Sequence, residues 1–297
     1  MRARQLEVFT AMMRAGSVTG AAHMLNISQP ALSQILRHTE DELGFALFDR
    51  EKGRLKPTPE AMELYPEAER LVVGMEGLRR KTEDLRQGKV GIVRIAASTP
   101  PGLALLPRAM AEFRARHPDI ALRSHVTPMA GITPMLRAGD VALALALDDR
   151  PPPDIQVEPL GRVAFRCLLP ENHPLTEREA LTFADLEAET VISYGADKRP
   201  HEELVIAARS KGQTFHSGIE VGVSISAVGF VQAGLGVAVV DAMLPWEQFA
   251  GIAVRRLVDG PTIPFCLLTL CGRALSRAEE VMADQIRTLC AARGDWS

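Results

Sequence analysis

Between Ser17 and Glu40 the chain reads SVTGAAHMLNISQPALSQILRHTE, and few folds satisfy that spacing. Ala21, Ala22 and Leu25 make one apolar face, Ile27 follows a turn at Asn26, and Leu32 and Ile35 resume the face on a second helix. Ala22 is small enough for the two helices to cross closely. Asn26 stands where the turn calls for a left-handed backbone, which Asn tolerates better than most residues with a side chain. Ser28 is placed to cap the second helix through its hydroxyl, and Pro30 suits the first turn, where its missing N–H would have no partner anyway.

The outer face of that second helix carries Gln29, Ser33, Gln34 and Arg37, all able to bond base edges or phosphates and none needed for packing. An ordinary helical hairpin with a solvated polar face would explain these residues equally well. The following segment shifts the balance. Leu43, Phe45, Leu47 and Phe48 return apolar groups to the core, and Arg50, Lys52, Arg54 and Lys56 then recur at period two around Gly53. That pattern predicts a hairpin wing holding cations beside a phosphate backbone.

The run SQPALSQILRHTEDELGFALFDR followed by KPTPEA resembles the winged helix-turn-helix of LysR-type transcriptional regulators. The match is tight over about the first sixty residues and looser beyond them. It implies double-stranded DNA as a partner, with Ser28, Gln29, Pro30, Ser33, Gln34 and Arg37 of the reading helix and Arg50, Lys52 and Arg54 of the wing at the DNA. One position departs: family members often carry Arg where Gln34 stands, and Gln reads adenine bidentately where Arg prefers guanine or phosphate.

The chain has 297 residues, 46% of them hydrophobic, enough for about two domains with real cores. A net charge of −3 argues against nucleic acid only if the charge is spread evenly. Residues 1–57 hold eight Lys/Arg and six Asp/Glu, so the amino-terminal part is mildly basic and the remainder acidic. DNA affinity must then come from local clustering and from doubling the reader in a dimer. Glu7 and Arg14 interrupt the first apolar stretch, which excludes a signal peptide, and no run approaches the ~20 apolar residues that span a bilayer. A cytoplasmic location is expected. Cys167, Cys266, Cys271 and Cys290 lack metal-ligand spacing and are expected to be reduced and mostly buried.

Thr58, Pro59 and Glu60 form a helix start. Ala61, Leu64, Ala68, Leu71, Met75, Leu78, Thr82 and Leu85 follow at steps of three and four, a heptad seam that needs a partner surface. Pro66, Gly74 and Gly77 weaken this helix, and packing against the chain's own body is the alternative. The family resemblance favours a dimerising linker helix. The expected division is an all-α winged helix-turn-helix domain over 1–57, the linker over 58–88 and an effector domain over 89–297. In that last domain, strands near 91–97, 120–127 and 141–147 alternate with helices near 102–116 and 131–138, an order that implies a parallel sheet. A second set has strands at 163–169, 191–194, 219–223 and 237–240 and helices at 203–211 and 226–233. Strands near 252–257 and 265–270 and a helix near 276–291 return the chain. This order resembles the two-lobed periplasmic-binding-protein fold of LysR-type effector domains, an α/β fold with lobe I at about 89–161 and 266–297 and lobe II at about 162–265.

Ligands of parallel α/β sheets sit beyond the carboxyl ends of the strands, near helix amino termini. Ser98, Thr99 and Pro100 follow the first strand of lobe I, with Gly102 permitting close approach; simple helix capping is the alternative role for the two hydroxyls. Pro128 to Gly131 would form the adjacent wall. Tyr194 and Gly195, with Ser224 and Ser226, would face it from lobe II. The resemblance implies a small effector, commonly a carboxylate, and matches Ser98, Thr99, Met129, Tyr194, Ser224 and Ser226 to its cleft. The segments YPEAERLVVGMEGL and ASTPPG resemble family members that sense amino acids or their opine derivatives. Residues 194–209 hold no cysteine, which argues against the peroxide-sensing members. The resemblance also implies a homodimer through the linker helix and a homotetramer through paired effector domains. A solute-binding-like sensor without gene regulation is the competing class, and an enzyme is a weaker one: no nucleophile elbow, phosphate loop or zinc spacing occurs, and the seven histidines are scattered. No cofactor, metal or catalytic residue is expected.

Overall fold

The computed structural model describes residues 1–51, 54–86, 91–148, 150–293 and Trp296. It divides into two compact units, one comprising Met1–Gly88 with Arg137–Asp140 and the other Lys89–Leu136 with Val141–Ser297.

In the first unit α1 (Ala3–Ala15), α2 (Val18–Met24) and α3 (Gln29–Leu43) precede a hairpin, β1 (Phe48–Glu51) and β2 (Arg54–Pro57), and a long helix, α4 (Pro59–Arg86). Asn26 is the one described non-glycine residue with positive φ, at 51°, as the α2–α3 turn requires. Ser17 accepts the Gly20 N–H at 3.1 Å and Ser28 the Ala31 N–H at 3.4 Å, so both helices start at their hydroxyl caps. Val8, Phe9 and Met12 of α1 pack with Ala21 and Ala22, with Leu32 and Leu36 of α3, and with Leu47 and Phe48. The core partner of Leu32 is thus Leu36, one turn on, while Ile35 is only half-buried. Phe45, expected in the core, is 37% exposed. Glu40 Oε1 accepts the N–H groups of Leu47 (2.8 Å) and Phe48 (3.2 Å), tying α3 to the hairpin. The hairpin pairs Phe48 with Pro57 through to Glu51 with Arg54 and is the expected wing.

Along α4 the expected seam splits between two faces. Ala61 and Ala68 are buried in the unit's own core, with Leu64 and Tyr65 packed against it, whereas Leu71 and Leu78 are 57% and 67% exposed. The repeat drifts by only about 20° per heptad on a straight helix, and the split follows its two columns, Ala61 and Ala68 in the one that faces the core and Leu71 and Leu78 in the other. Leu85 contributes a side chain outside the described set.

The second unit holds two sheets. One has the order β4-β3-β5-β13-β6, from β3 (Ile92–Ala97), β4 (Ala121–Val126), β5 (Leu143–Ala146), β6 (Ile155–Val163) and β13 (Ile263–Leu270). The other has the order β10-β9-β11-β7-β12-β8, from β7 (Phe165–Pro170), β8 (Ala180–Leu181), β9 (Val191–Tyr194), β10 (Ile219–Val221), β11 (Val237–Asp241) and β12 (Ile252–Leu257). The helices are α5 (Thr99–Ala104), α6 (Leu106–Arg116), α7 (Met129–Ala138), α8 (Arg199–Ser210), α9 (Ala227–Gln232) and α10 (Arg277–Arg293). Strands β3, β4 and β5 are parallel, as their order implies, but β13 and β6 join antiparallel, so the sheet is mixed. Alternate residues of β3 face opposite layers: Val93, Ile95 and Ala97 meet Phe113 of α6 and Ile286 of α10, while Ala96 meets Ile132 and Leu136 of α7. Covering both faces is why β5 reads LALA with all four residues buried.

Several element bounds depart from the sequence reading. The helix expected at 102–116 is two, divided at Leu105, with Pro107 in the first turn of α6. Helix α8 begins at Arg199, four residues before the expected start, and carries Pro200 in its first turn. Strand β6 has no counterpart in the sequence reading, because Pro159 and Gly161 break its apolar pattern; a register shift between Phe265 and Cys266 accommodates them. The chain leaves the first sheet at Ala164 and returns at Ile263. Cys167, Cys266 and Cys290 are buried and Cys271 is exposed. No helix among the described residues is long and apolar enough to cross a membrane.

Candidate DNA-reading helix and ligand cleft

Because Leu32 and Leu36 face the core, the opposite side of α3 is left to solvent: Gln29, Pro30, Gln34 and Arg37 are exposed and Ser33 is half-buried. Ser28 is exposed too, but its hydroxyl is taken up by the cap. Two neighbours escape the sequence reading. Thr19 Oγ1 accepts a hydrogen bond from Gln29 Nε2 at 2.8 Å. His38, one turn beyond Gln34, is exposed and bonds Glu42 Oε1 at 3.0 Å; its i+4 spacing is the available signal. In the wing, Lys52 lies outside the described residues, and for Arg50 and Arg54 only the backbone is described, within β1 and β2.

Within the second unit a cleft of about 380 Å³ is lined by Ser98, Thr99, Pro128, Met129 and Asp148 on the side of the first sheet and by Tyr194, Lys198, Arg199 and Ser224 on the side of the second. Five of the six expected effector residues therefore share one cavity. Ser226 does not: it is exposed and returns its hydroxyl to Val223 O at 2.7 Å. Gly102 is also away from it. A Cβ there would stand 2.8 Å from Val126 Cγ2, so the missing side chain serves helix–strand packing rather than ligand approach.

The hydroxyls differ in what remains to them. Ser98 stands at the start of α5 yet makes no capping bond, and its Oγ is buried without a partner. Ser224 is 1% exposed with an Oγ equally unsatisfied. An orphaned buried hydroxyl costs ~1–3 kcal/mol, so two of them on facing walls mark groups held for a ligand or for water. Tyr194 is committed instead. Its hydroxyl donates to Asp241 Oδ2 at 2.7 Å and accepts the Asp241 N–H at 3.0 Å, leaving the ring as its part of the cleft wall. Asp241 is fully buried, bonded also by the Met243 N–H at 3.0 Å. Burial pushes its carboxyl up, and the Tyr194 bond opposes the rise; burial likewise raises the Tyr194 phenol well above its ordinary value, helped by the adjacent carboxylate. Ser224 also lowers the pKa of both the Asp241 carboxyl and the Tyr194 phenol, although its Oγ stands outside hydrogen-bond geometry.

The cleft's charged residues are unevenly matched. Lys198 Nζ pairs with Asp197 at 2.6 Å and Arg199 Nη1 with Glu203 at 2.8 Å. Asp148 receives only the backbone N–H of Arg150, at 2.9 Å, among the described residues. No cluster of metal-ligating side chains occurs among the described residues.

Residues 3–62 match the model of the bacterial regulatory helix-turn-helix protein, lysR family, and residues 86–291 that of the LysR substrate binding domain. The chain is 31% identical over 257 residues to the transcriptional activator protein LysR of Escherichia coli K12, covering 85% of this chain and 82% of that one. It is 29% identical over 265 residues to the regulatory protein NocR of Agrobacterium fabrum, covering 89% and 88%. Among solved structures, CbnR, a LysR family transcriptional regulator, superposes with a TM-score of 0.67 at 20% identity over 97% of this chain and 99% of that one. A single-substitution variant of full-length OxyR from Pseudomonas aeruginosa does so with a TM-score of 0.65 at 22% identity, covering 97% and 95%. The two family models cover the amino-terminal helix-turn-helix and the two-sheet carboxy-terminal domain in turn, and the chain belongs to the LysR family of DNA-binding transcriptional regulators, proteins that act through DNA and effector binding and not as enzymes.

Proposed function

We propose that Gln29, Ser33, Gln34 and Arg37 read the DNA target, flanked by Ser28 and Pro30 and backed by Arg50, Lys52 and Arg54 on its phosphates, and that a small anionic or amino-acid-like effector in the cleft sets the affinity. The observation that carries the effector reading is the pair of buried, unpartnered hydroxyls, Ser98 and Ser224, on opposite walls of one cavity. Thr99 and Met129 complete one wall and the Tyr194 ring the other. The cleft lies at the low end of the size range for small-molecule sites, which suits a ligand of amino-acid size.

Exposed Leu71 and Leu78 on α4 support a homodimer through that helix, since two large apolar groups seven residues apart gain by meeting their counterparts in a second copy. A homotetramer through the effector domains, and the cytoplasm as the compartment, follow by analogy with the family. A thermal-shift screen of amino acids and carboxylates on the full chain supplies the ligand. Calorimetry then compares wild type with Thr99→Val, which keeps the shape and removes the hydroxyl. Weaker binding by the variant is expected, and equal affinity would place the pocket elsewhere.

A further inference from the structure

We infer that the cleft selects a zwitterion, a ligand whose cationic nitrogen is met by Asp148 and whose carboxylate is met by the hydroxyls and helix starts around it. The inference rests on the effector reading above and narrows it from a small anionic or amino-acid-like ligand to one whose carboxylate must be accompanied by a cationic nitrogen. Four charged side chains line the cavity, Asp148, Asp197, Lys198 and Arg199, so the lining is neutral in sum. The cations already have acids: Lys198 is paired with Asp197, and Arg199 with Glu203 and, at 3.9 Å, Glu202. Asp148 is half-buried and, among the described residues, has no cation, only one backbone N–H. A ligand carrying only negative charge would leave that carboxylate unmatched in the cleft and be repelled by it. A ligand nitrogen beside it restores the pairing that every other charge in the lining already has.

The carboxylate end is provided for separately. The amino termini of α7, ten residues long, and of α8, twelve residues long, both reach the lining through Met129 and Arg199. Lys198, at the cap of α8, makes no side-chain bond to that terminus, and the positive end of the helix dipole favours an anion there. Ser224 Oγ, in a residue 1% exposed, and Ser98 Oγ are donors already stripped of water and lacking an acceptor. Tyr194, with its hydroxyl turned to Asp241, does not compete. Acceptor at Asp148 and donors elsewhere in one cavity make a polarised site for opposite charges on one small molecule.

The test is calorimetry on the full chain with matched pairs in which only the α-nitrogen differs: leucine against 4-methylpentanoate, glutamate against glutarate, and norleucine against hexanoate. At least one amino acid is expected to bind at least about tenfold more tightly than its nitrogen-free counterpart, the loss expected for one charge-assisted hydrogen bond. Asp148→Asn is expected to bring the two members of that pair to within about threefold. Nitrogen-free acids binding as well as the amino acids, or an unchanged ratio in Asp148→Asn, would overturn the inference while leaving the cleft as an anion site. Binding by neither member of any pair overturns it as well, and if carboxylates of other kinds then bind with no response to Thr99→Val, the cleft reading falls with it.

Discussion

Ser224→Ala should move stability and ligand affinity in opposite directions. In the ligand-free protein the Ser224 hydroxyl belongs to a residue only 1% exposed and makes no hydrogen bond, a burden of ~1–3 kcal/mol. Alanine removes that burden and leaves a gap of one oxygen atom. The help that Ser224 gives the Asp241 carboxylate is the loss set against it, while the bonds from Tyr194 and Met243 remain. The net expectation is a gain of ~1 kcal/mol, and for a domain of about 200 residues that is a rise of ~2–4 °C in Tm. Effector binding, in contrast, loses a hydrogen bond to a charged group, ~1.5–3 kcal/mol, or a roughly tenfold to hundredfold weaker Kd. Thermal denaturation without ligand and calorimetry with it read the two terms separately. A variant destabilised by more than ~1 kcal/mol with unchanged ligand affinity would show that Ser224 supports the Tyr194–Asp241 pair rather than the ligand.

Replacing Gln29 and Arg37 together by alanine should weaken specific DNA binding by ~2–6 kcal/mol, from ~1–3 kcal/mol for each base contact, and relax preference at the base pairs they face; unchanged binding in a footprinting titration removes α3 as the reader. Leu71→Asp should convert the full chain to a species of lower mass in sedimentation equilibrium by placing an unpaired charge in an apolar contact, and an unaltered mass would discard the α4 interface. Asp241 has a folded pKa raised by burial, so its contribution to stability is complete below the unfolded value of about 3.9 and is lost as pH rises through the folded value. The Tm of Asp241→Asn relative to wild type should therefore climb as pH increases from about 4 to about 8, and a difference constant over that range would mean that the carboxyl is not perturbed.

What the sequence discloses is local. The α2–α3 turn at Asn26, the caps at Ser17 and Ser28 and the polar face of α3 each depend on residues within one or two turns, and all are present. The strand-end loops carrying Ser98, Thr99 and Met129 are legible for the same reason, since a parallel strand followed by a helix fixes where the loop emerges. What escapes depends on distant partners. Tyr194 reads as a residue facing the cleft, but its hydroxyl donates to Asp241, 47 residues on. Asp148 shows no motif, and its importance comes from which acids have already claimed the neighbouring cations. The heptad of α4 is real as a pattern, yet Ala61 and Ala68 belong to the inner face and Leu71 and Leu78 to the outer, a separation that only the packed core of α1 and α3 decides. Ser226 fails in the other direction, because a local bond to Val223 satisfies its hydroxyl away from the cleft.

Linkage between the cleft and DNA is what one titration measures directly. The full chain first selects its own target from random duplexes, and its Kd for that target is then determined with and without a saturating ligand from the screen. A ligand alters DNA binding only by its difference in affinity for two arrangements of the protein, and coupling of ~1–3 kcal/mol shifts Kd by ~5- to 150-fold. A shift of that size, lost in Thr99→Val at the same ligand concentration, is the predicted result; a ligand that saturates the cleft by calorimetry and leaves the DNA Kd unchanged would contradict it.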